Sequence, residues 1–232
     1  MVEQPDFSLV IPLYNEENNV ENIYNGIKKA FESKFQYELL LVNNGSTDRT
    51  KEIIKRIASK DKKVVLVNIE NNIGYGFGVV LGLNSANGEF IGWIDGDDTI
   101  DPENVILLYE KVIATNSDIG FSERINRGEN IFRKLESFFY NTLLLILYFR
   151  NFRDVNAKPK LIRNAIFKNF NLKSKDWFID TEFCINSYKR GLKNCRILVI
   201  EKSRRHGKSA VKITTALEFL KNIIKFRFLH HV

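Results

Sequence analysis

The chain has 232 residues, 44% of them hydrophobic, with 18 phenylalanines and a formal charge of +7. That suits one large domain with a sizeable core and a basic surface that favours anions: nucleotides, nucleic acid or acidic lipid headgroups. The two cysteines, Cys184 and Cys195, exclude a disulfide framework or a cysteine-rich metal site and fit reduced thiols in a cytoplasmic chain.

Targeting signals are missing from the pattern. "MVEQPDFSLVIP" has no basic segment followed by a long apolar one, so no signal peptide is expected. The longest apolar run, residues 143–149, falls far short of the about 20 residues that a bilayer span needs. Attachment to a membrane surface stays open.

In chain order, "FSLVI" reads as a buried strand ending at Pro12. Asn18 is placed to cap a helix with Val20, Ile23, Ile27, Ala30 and Phe31 at helical spacing. "YELLLV" is a second strand, "NNGSTD" a turn, and Ile53, Ile54, Ile57 and Ala58 mark the inner face of a second helix. "VVLVN" is a third strand, and "NNIGYGFG" is a loop feeding a helix that stops near Asn87-Gly88. "FIGWI" is a fourth strand. Pro102 then suits the first turn of a helix running to about Thr115, and "SDIGF" reads as a fifth strand.

After residue 122 the pattern changes. "SERINRGENIFRK" is polar and basic, residues 131–149 read as an apolar helix, and "DWFIDTEFCINSYKRG" reads as a helix with Gly191 past its end. "RILVIEK" is a late strand. The domain expectation is a catalytic domain over 1–210 and a basic amphipathic helix over 211–232. That helix either packs on the domain with its cations snorkelling outward or lies at a membrane surface. A homo-oligomer interface is a third use of the same surface. The fold class expected is α/β, a mostly parallel central sheet with helices on both faces. Ligands of such sheets bind beyond the C-terminal strand ends. The polar segments 14–17, 43–48 and 95–98 all follow strands, so they are expected on one rim.

"IDGDDTID" gathers Asp95, Asp97, Asp98 and Asp101 within seven positions. Two readings stand. One is a solvated acidic turn with Asp101 capping the next helix. The other is a carboxylate pair for a hard divalent ion, Mg²⁺ or Mn²⁺, that bridges a diphosphate. Histidine-based metal sites are disfavoured, because the only histidines are His206, His230 and His231. Gly74, Gly76 and Gly78 do not have the spacing of a dinucleotide fingerprint. They serve either close approach of a ligand or close helix packing. No nucleic-acid motif accompanies the net charge, so no nucleic-acid partner is expected.

Five stretches together resemble the family 2 nucleotide-sugar glycosyltransferases of the GT-A fold, in the flavour of dolichyl- or polyprenyl-phosphate mannose or glucose synthases. They are "IPLYNEENN", "LLLVNNGSTDRT", "ENNIGYGFGVVLGLNSANGEFIGWIDGDD", "WFIDTEFCINSYKRGL" and "SRRHGKS", in order over about residues 8 to 209. The resemblance implies that Pro12, Tyr14 and Glu16 line the nucleotide pocket. Asn43 and Asn44 stand where the family usually has two aspartates, one of which accepts from the base. Asn keeps a carbonyl acceptor but adds a donor and loses the charge, which leaves GDP-sugar and UDP-sugar donors both open. Asp95 and Asp97 match the metal- and diphosphate-binding Asp-x-Asp, with Asp97 the direct ligand and Asp95 in contact with the ribose or the metal shell.

Asp180, with Glu182, sits at the family's second acidic motif, where an acid deprotonates a hydroxyl acceptor in many inverting relatives. Arg204, Gly207 and Ser209 match its R-x-x-G-x-S pattern. Arg124 and Arg127 fall where relatives place basic residues for the acceptor phosphate, and Lys158, Arg205 and Lys208 are further candidate cations. The resemblance thus implies inverting transfer of a hexose from a nucleotide sugar to a polyprenyl phosphate, in the cytoplasm or at the cytoplasmic face of the membrane. Asp97, Asp180 and Arg204 would be the catalytic groups. The alternative acceptor is a hydroxyl of a glycan, lipopolysaccharide or other cell-surface molecule, with Asp180 as base.

Overall fold

The computed structural model of the protein describes residues 4–125, 140, 142, 144–150, 152–202, 223 and 226. Seven strands form one sheet: β1 Phe7–Leu13, β2 Tyr37–Asn44, β3 Val64–Ile69, β4 Phe90–Trp93, β5 Ile119–Arg124, β6 Lys160–Arg163 and β7 Asn194–Val199. Their order across the sheet is β3-β2-β1-β4-β6-β5-β7. β1 runs parallel to β2 and β4, β2 to β3, and β5 to β7; β6 alone runs antiparallel to its neighbours β4 and β5. The C-terminal ends of the six co-directed strands therefore share one rim. Because β6 is reversed, its N-terminal end lies on that rim too, with Lys160 opposite Trp93.

The described helices include α1 Val20–Phe31, α2 Thr50–Lys60, α3 Tyr75–Ser85, α4 Pro102–Ala114, α5 Asn164–Phe167 and α6 Ile179–Lys189. Side chains alternate across a strand, and β1 shows the consequence. Phe7, Leu9 and Ile11 join a core with α1, α2 and α4, while Val10 joins a second core with α3, α5 and α6. Ile223 and Phe226 also lie in that second core, Phe226 with its ring 5.6 Å from Phe178.

The α/β alternation follows the sequence expectation as far as β5, with local corrections. The residue before α1 is Asn19 rather than Asn18, and its amide donates to the Glu16 carboxylate (2.6 Å) instead of capping the helix. α3 ends at Ser85, two residues before Asn87. Asp101 caps α4 by accepting from the Glu103 amide at 3.2 Å, with Pro102 as its first residue. The strand β6 lies inside "KPKLIR", a stretch that polar composition disguises. Residues 144–148 are helical, within the apolar helix expected at 131–149.

Candidate active site

The rim is assembled by three loops. After β1, the Asn15 amide donates to Ser46 Oγ (3.1 Å), and the Thr47 amide donates to Asn15 Oδ1 (2.8 Å). The Glu16 amide donates to Thr50 Oγ1 (2.9 Å), so residues 14–17 and 46–50 form one unit. The 95–98 loop closes on it through Gly96. A Cβ on Gly96 would stand 2.6 Å from the Pro12 carbonyl oxygen and 2.6 Å from Leu13. Close approach, rather than a left-handed bend, is thus what this glycine supplies; the left-handed residue is Asp98, at φ 60°.

The structure sorts the residues expected around the nucleotide. Tyr14 is 46% exposed on the rim and Glu16 is half-buried beside it. Pro12 is buried within β1, in register with Val42. Asn43 and Asn44 lie under the surface. The Asn43 amide donates to Asn68 Oδ1 (2.8 Å) and its oxygen accepts from the Ser46 amide (3.2 Å). Asn44 donates to the Gly74 carbonyl (3.1 Å), and its buried Oδ1 has no hydrogen-bond partner among the described residues. In this arrangement both amides hold loops.

Asp95 and Asp97 project from the end of β4. Thr99 orients Asp97, donating its hydroxyl (2.7 Å) and amide (3.3 Å) to Oδ1. The Tyr75 hydroxyl donates to Asp95 Oδ1 at 2.5 Å, and Lys158 Nζ stands 3.9 Å from the same oxygen. Burial raises the Asp95 carboxyl, Lys158 draws it down, and Asp97 and Asp180 push it up again; the balance lies above the ordinary value. Burial and the Asp95 charge push the Tyr75 phenol well above its usual range, so it stays a donor. Among the described residues no group of three His, Cys, Asp or Glu could enclose an ion by itself. Two carboxylates suit Mg²⁺ or Mn²⁺, which take one or two acids and complete their shells with water and substrate phosphate.

The glycines of "NNIGYGFG" serve packing. Gly74, at φ 135°, lies so close to the 174–176 loop that a Cβ would be 2.2 Å from the Lys175 carbonyl oxygen. This approach stacks Tyr75 on Trp177, with centroids 4.1 Å apart and planes at 11°. Trp93 is instead a core residue, edge-on to Phe183 at 4.8 Å.

Asp180 has an environment that the sequence does not announce. It is 1% exposed, and each oxygen meets a buried ammonium: Lys158 at Oδ2 (2.8 Å) and Lys160 at Oδ1 (2.7 Å). Burial works against its charge, but the two lysines outweigh that and hold the carboxyl below the ordinary range. Burial likewise opposes the Lys158 charge, yet Asp180 and Asp95 together raise it; for Lys160, burial prevails and lowers it. Lys160 is the residue sequence reasoning missed, and Lys158 was only one cation among several. The available signal was their spacing: residues two apart in extended chain face the same way, so "KPK" aims both ammoniums at one target. Glu182 is buried too, accepting from the Lys173 and Ser174 amides (2.9 and 2.8 Å).

Arg124, at the end of β5, is already engaged. Its guanidinium grips Asp154 through Nε (2.8 Å) and Nη2 (2.7 Å) and reaches Glu201 at 3.3 Å. Burial opposes its charge, but these two acids raise its proton affinity above the usual arginine value. The expectation that Arg124 meets an acceptor phosphate therefore meets a competing intramolecular pair. Arg127, Arg204, Arg205, His206, Lys208 and Ser209 lie outside the described residues.

Comparison with known proteins agrees with this architecture. The Mycobacterium tuberculosis glucosyl-3-phosphoglycerate synthase, in a structure with Mn²⁺, UDP and phosphoglyceric acid, superposes with a TM-score of 0.76 at 18% identity, over 97% of this chain and 79% of that one. The undecaprenyl-phosphate 4-deoxy-4-formamido-L-arabinose transferase of Photorhabdus laumondii is 29% identical over 161 residues, 68% of this chain and 49% of its own length. The dolichyl-phosphate beta-glucosyltransferase ALG5A of Trichomonas vaginalis is 26% identical over 242 residues, covering 97% of this chain and 74% of its own. The chain spans about half the length of several curated relatives that it matches. Residues 8–172 match the family described as Glycosyl transferase family 2, and the chain, an α/β protein of the GT-A fold, belongs to that family.

Proposed function

We propose that the protein transfers a hexose from a nucleotide sugar to a polyprenyl phosphate, with inversion at the anomeric carbon. The observation that carries the choice of acceptor is the state of Asp180. An acid at this position would serve a hydroxyl acceptor as general base, within reach of the proton it removes. Here it is buried, and both its oxygens are held by lysines. A phosphate acceptor is anionic near neutral pH and needs no base. The names of the undecaprenyl- and dolichyl-phosphate relatives support the same acceptor class.

On this reading Asp97 and Asp95 hold Mg²⁺ or Mn²⁺ against the donor diphosphate, UDP- or GDP-linked. A divalent ion there neutralises charge that builds on the departing diphosphate. Tyr14 and Glu16 flank the nucleotide from the β1 end. Since Arg124 is paired to Asp154 and Glu201, pairing with the acceptor anion falls chiefly to Arg127, Arg204 and Ser209. Among the described residues no helix is long and apolar enough to cross a membrane. Leu145, Ile146 and Phe149 are exposed, Phe149 by 85%, beside Arg150 and Arg153. Such a patch supports docking on an anionic bilayer surface.

The test is transfer from radiolabelled UDP- and GDP-hexoses, with Mn²⁺ or Mg²⁺, to undecaprenyl or dolichyl phosphate. The expected product is a lipid that releases its sugar in mild acid. Label appearing only on alcohol acceptors, or only as free sugar, would overturn the reading.

A further inference from the structure

Asp95 has two oxygens with different neighbours. Oδ1 accepts from the Tyr75 hydroxyl at 2.5 Å and faces Lys158 Nζ at 3.9 Å. Oδ2 has no partner among the described residues. A carboxylate that must bind an ion at a defined spot gains from having its other oxygen fixed, because torsion about its bonds would otherwise spread the ligand position. Groups that hydrogen-bond metal-binding carboxylates in this way matter nearly as much as the ligands, and losing one typically costs about 10- to 100-fold in metal affinity.

Tyr75 is built to act as such a fixed point. It opens α3 directly after Gly74, whose left-handed backbone and absent Cβ let the Lys175 carbonyl approach. The Phe77 amide donates to that same carbonyl at 3.2 Å. The phenol ring is clamped flat against Trp177, and the Lys158 ammonium lies 5.7 Å from its centroid. Two other chain segments, the 175–177 loop and Lys158, thus pack around the ring, and its hydroxyl donates to Asp95.

We propose that Tyr75 is a positioning residue for the donor-side metal site: it holds Asp95 Oδ1 and thereby dedicates Oδ2 to the divalent ion. This rests on the metal-dependent reading above. It adds a residue that belongs neither to the Asp-x-Asp pair nor to any acidic motif.

The test uses the full chain and Mn²⁺ titrated with UDP present, following free Mn²⁺ by electron paramagnetic resonance. Tyr75→Phe removes the hydroxyl and keeps the ring on Trp177. The expected result is Mn²⁺ affinity weaker by about 10-fold or more, with an unchanged circular dichroism spectrum. Asp95→Asn and the double variant complete a cycle, in which Tyr75→Phe should have less than a threefold further effect once Asp95 is gone. Wild-type affinity in Tyr75→Phe, or an equal loss in the Asp95→Asn background, would overturn the proposal while leaving the metal reading intact. A wild-type chain that fails to bind Mn²⁺ would bring down both.

Discussion

The two acidic motifs of this protein share a chemistry and differ in everything around it. Asp95, Asp97 and Asp98 follow β4 at a partly open rim, where the charges gathered are mostly of one sign. Asp180 lies in the first turn of α6 in the interior, with a lysine on each oxygen. The first cluster draws on Lys158 for Asp95, at 3.9 Å, and on the Thr99 hydroxyl for Asp97. The second has its countercharge built in, and one of its lysines, Lys158, also stands 3.9 Å from Asp95. An acid motif therefore says little about acid chemistry until its neighbours are known. The rim carboxylates meet hydroxyls of Tyr75 and Thr99, whereas Asp180 meets two ammoniums.

The comparison breaks most directly at the rim. Replacing Asp95 and Asp97 together by Ala should lower sugar transfer by about 10³-fold or more, because charge stabilisation at the departing group is the largest contribution at stake. The fold should persist, since both side chains sit at a loop that water reaches. Initial rates with a lipid-phosphate acceptor, together with a circular dichroism melt, check both halves of the statement.

The interior motif should respond the other way, through stability. Asp180→Asn takes the carboxylate from buried Lys160 and leaves buried Lys158 with Asp95 alone, at 3.9 Å, and breaking a buried pair costs about 3–5 kcal/mol. Urea unfolding monitored by fluorescence measures it. If Asp180 were instead an exposed catalytic base, the variant would melt like the wild type and lose only rate.

A triple replacement, Lys158→Met with Asp180→Leu and Lys160→Met, sharpens the contrast. It removes the whole buried cluster and should recover most of the stability lost in Asp180→Asn, since apolar packing often matches a buried ion triad. The same melt reports it.

The smallest expected effect is in the pH dependence. The folded Asp180 carboxyl lies below its ordinary value of 3.8. Its pairing therefore contributes fully above that value and is lost as pH falls through the lowered folded value. The wild type should lose stability between about pH 4 and lower pH, and the triple variant should lack that part of the slope. Equal slopes in the two proteins would place the acid sensitivity elsewhere.

Much of the fold could be read along the chain, for a local reason. Strands such as "FSLVI" and "YELLLV" are apolar throughout because both sheet faces are covered, and helices such as α1 repeat their buried positions at Val20, Ile23, Ile27 and Phe31. The acidic turn after β4 was equally legible, and so was Asp101 as a cap. The second half was harder. β6 spans only four residues and opens with a lysine that would ordinarily mark a surface. Arg124 read as a free cation, because its partners Asp154 and Glu201 lie 30 and 77 positions away.

What the sequence determined by itself was the alternation of elements and the loops that carry polar groups, since both follow from residue periodicity and turn chemistry over a few neighbours. Only the tertiary structure decided which charges are spent internally. Asp180 meets lysines 20 and 22 positions before it because β6 runs backwards and brings its N-terminal end to the rim. Tyr75 reaches Asp95 across 20 positions because the 174–176 loop presses on Gly74. Electrostatic character depends on what lies within a few ångströms in space, and no spacing along the chain encodes that distance.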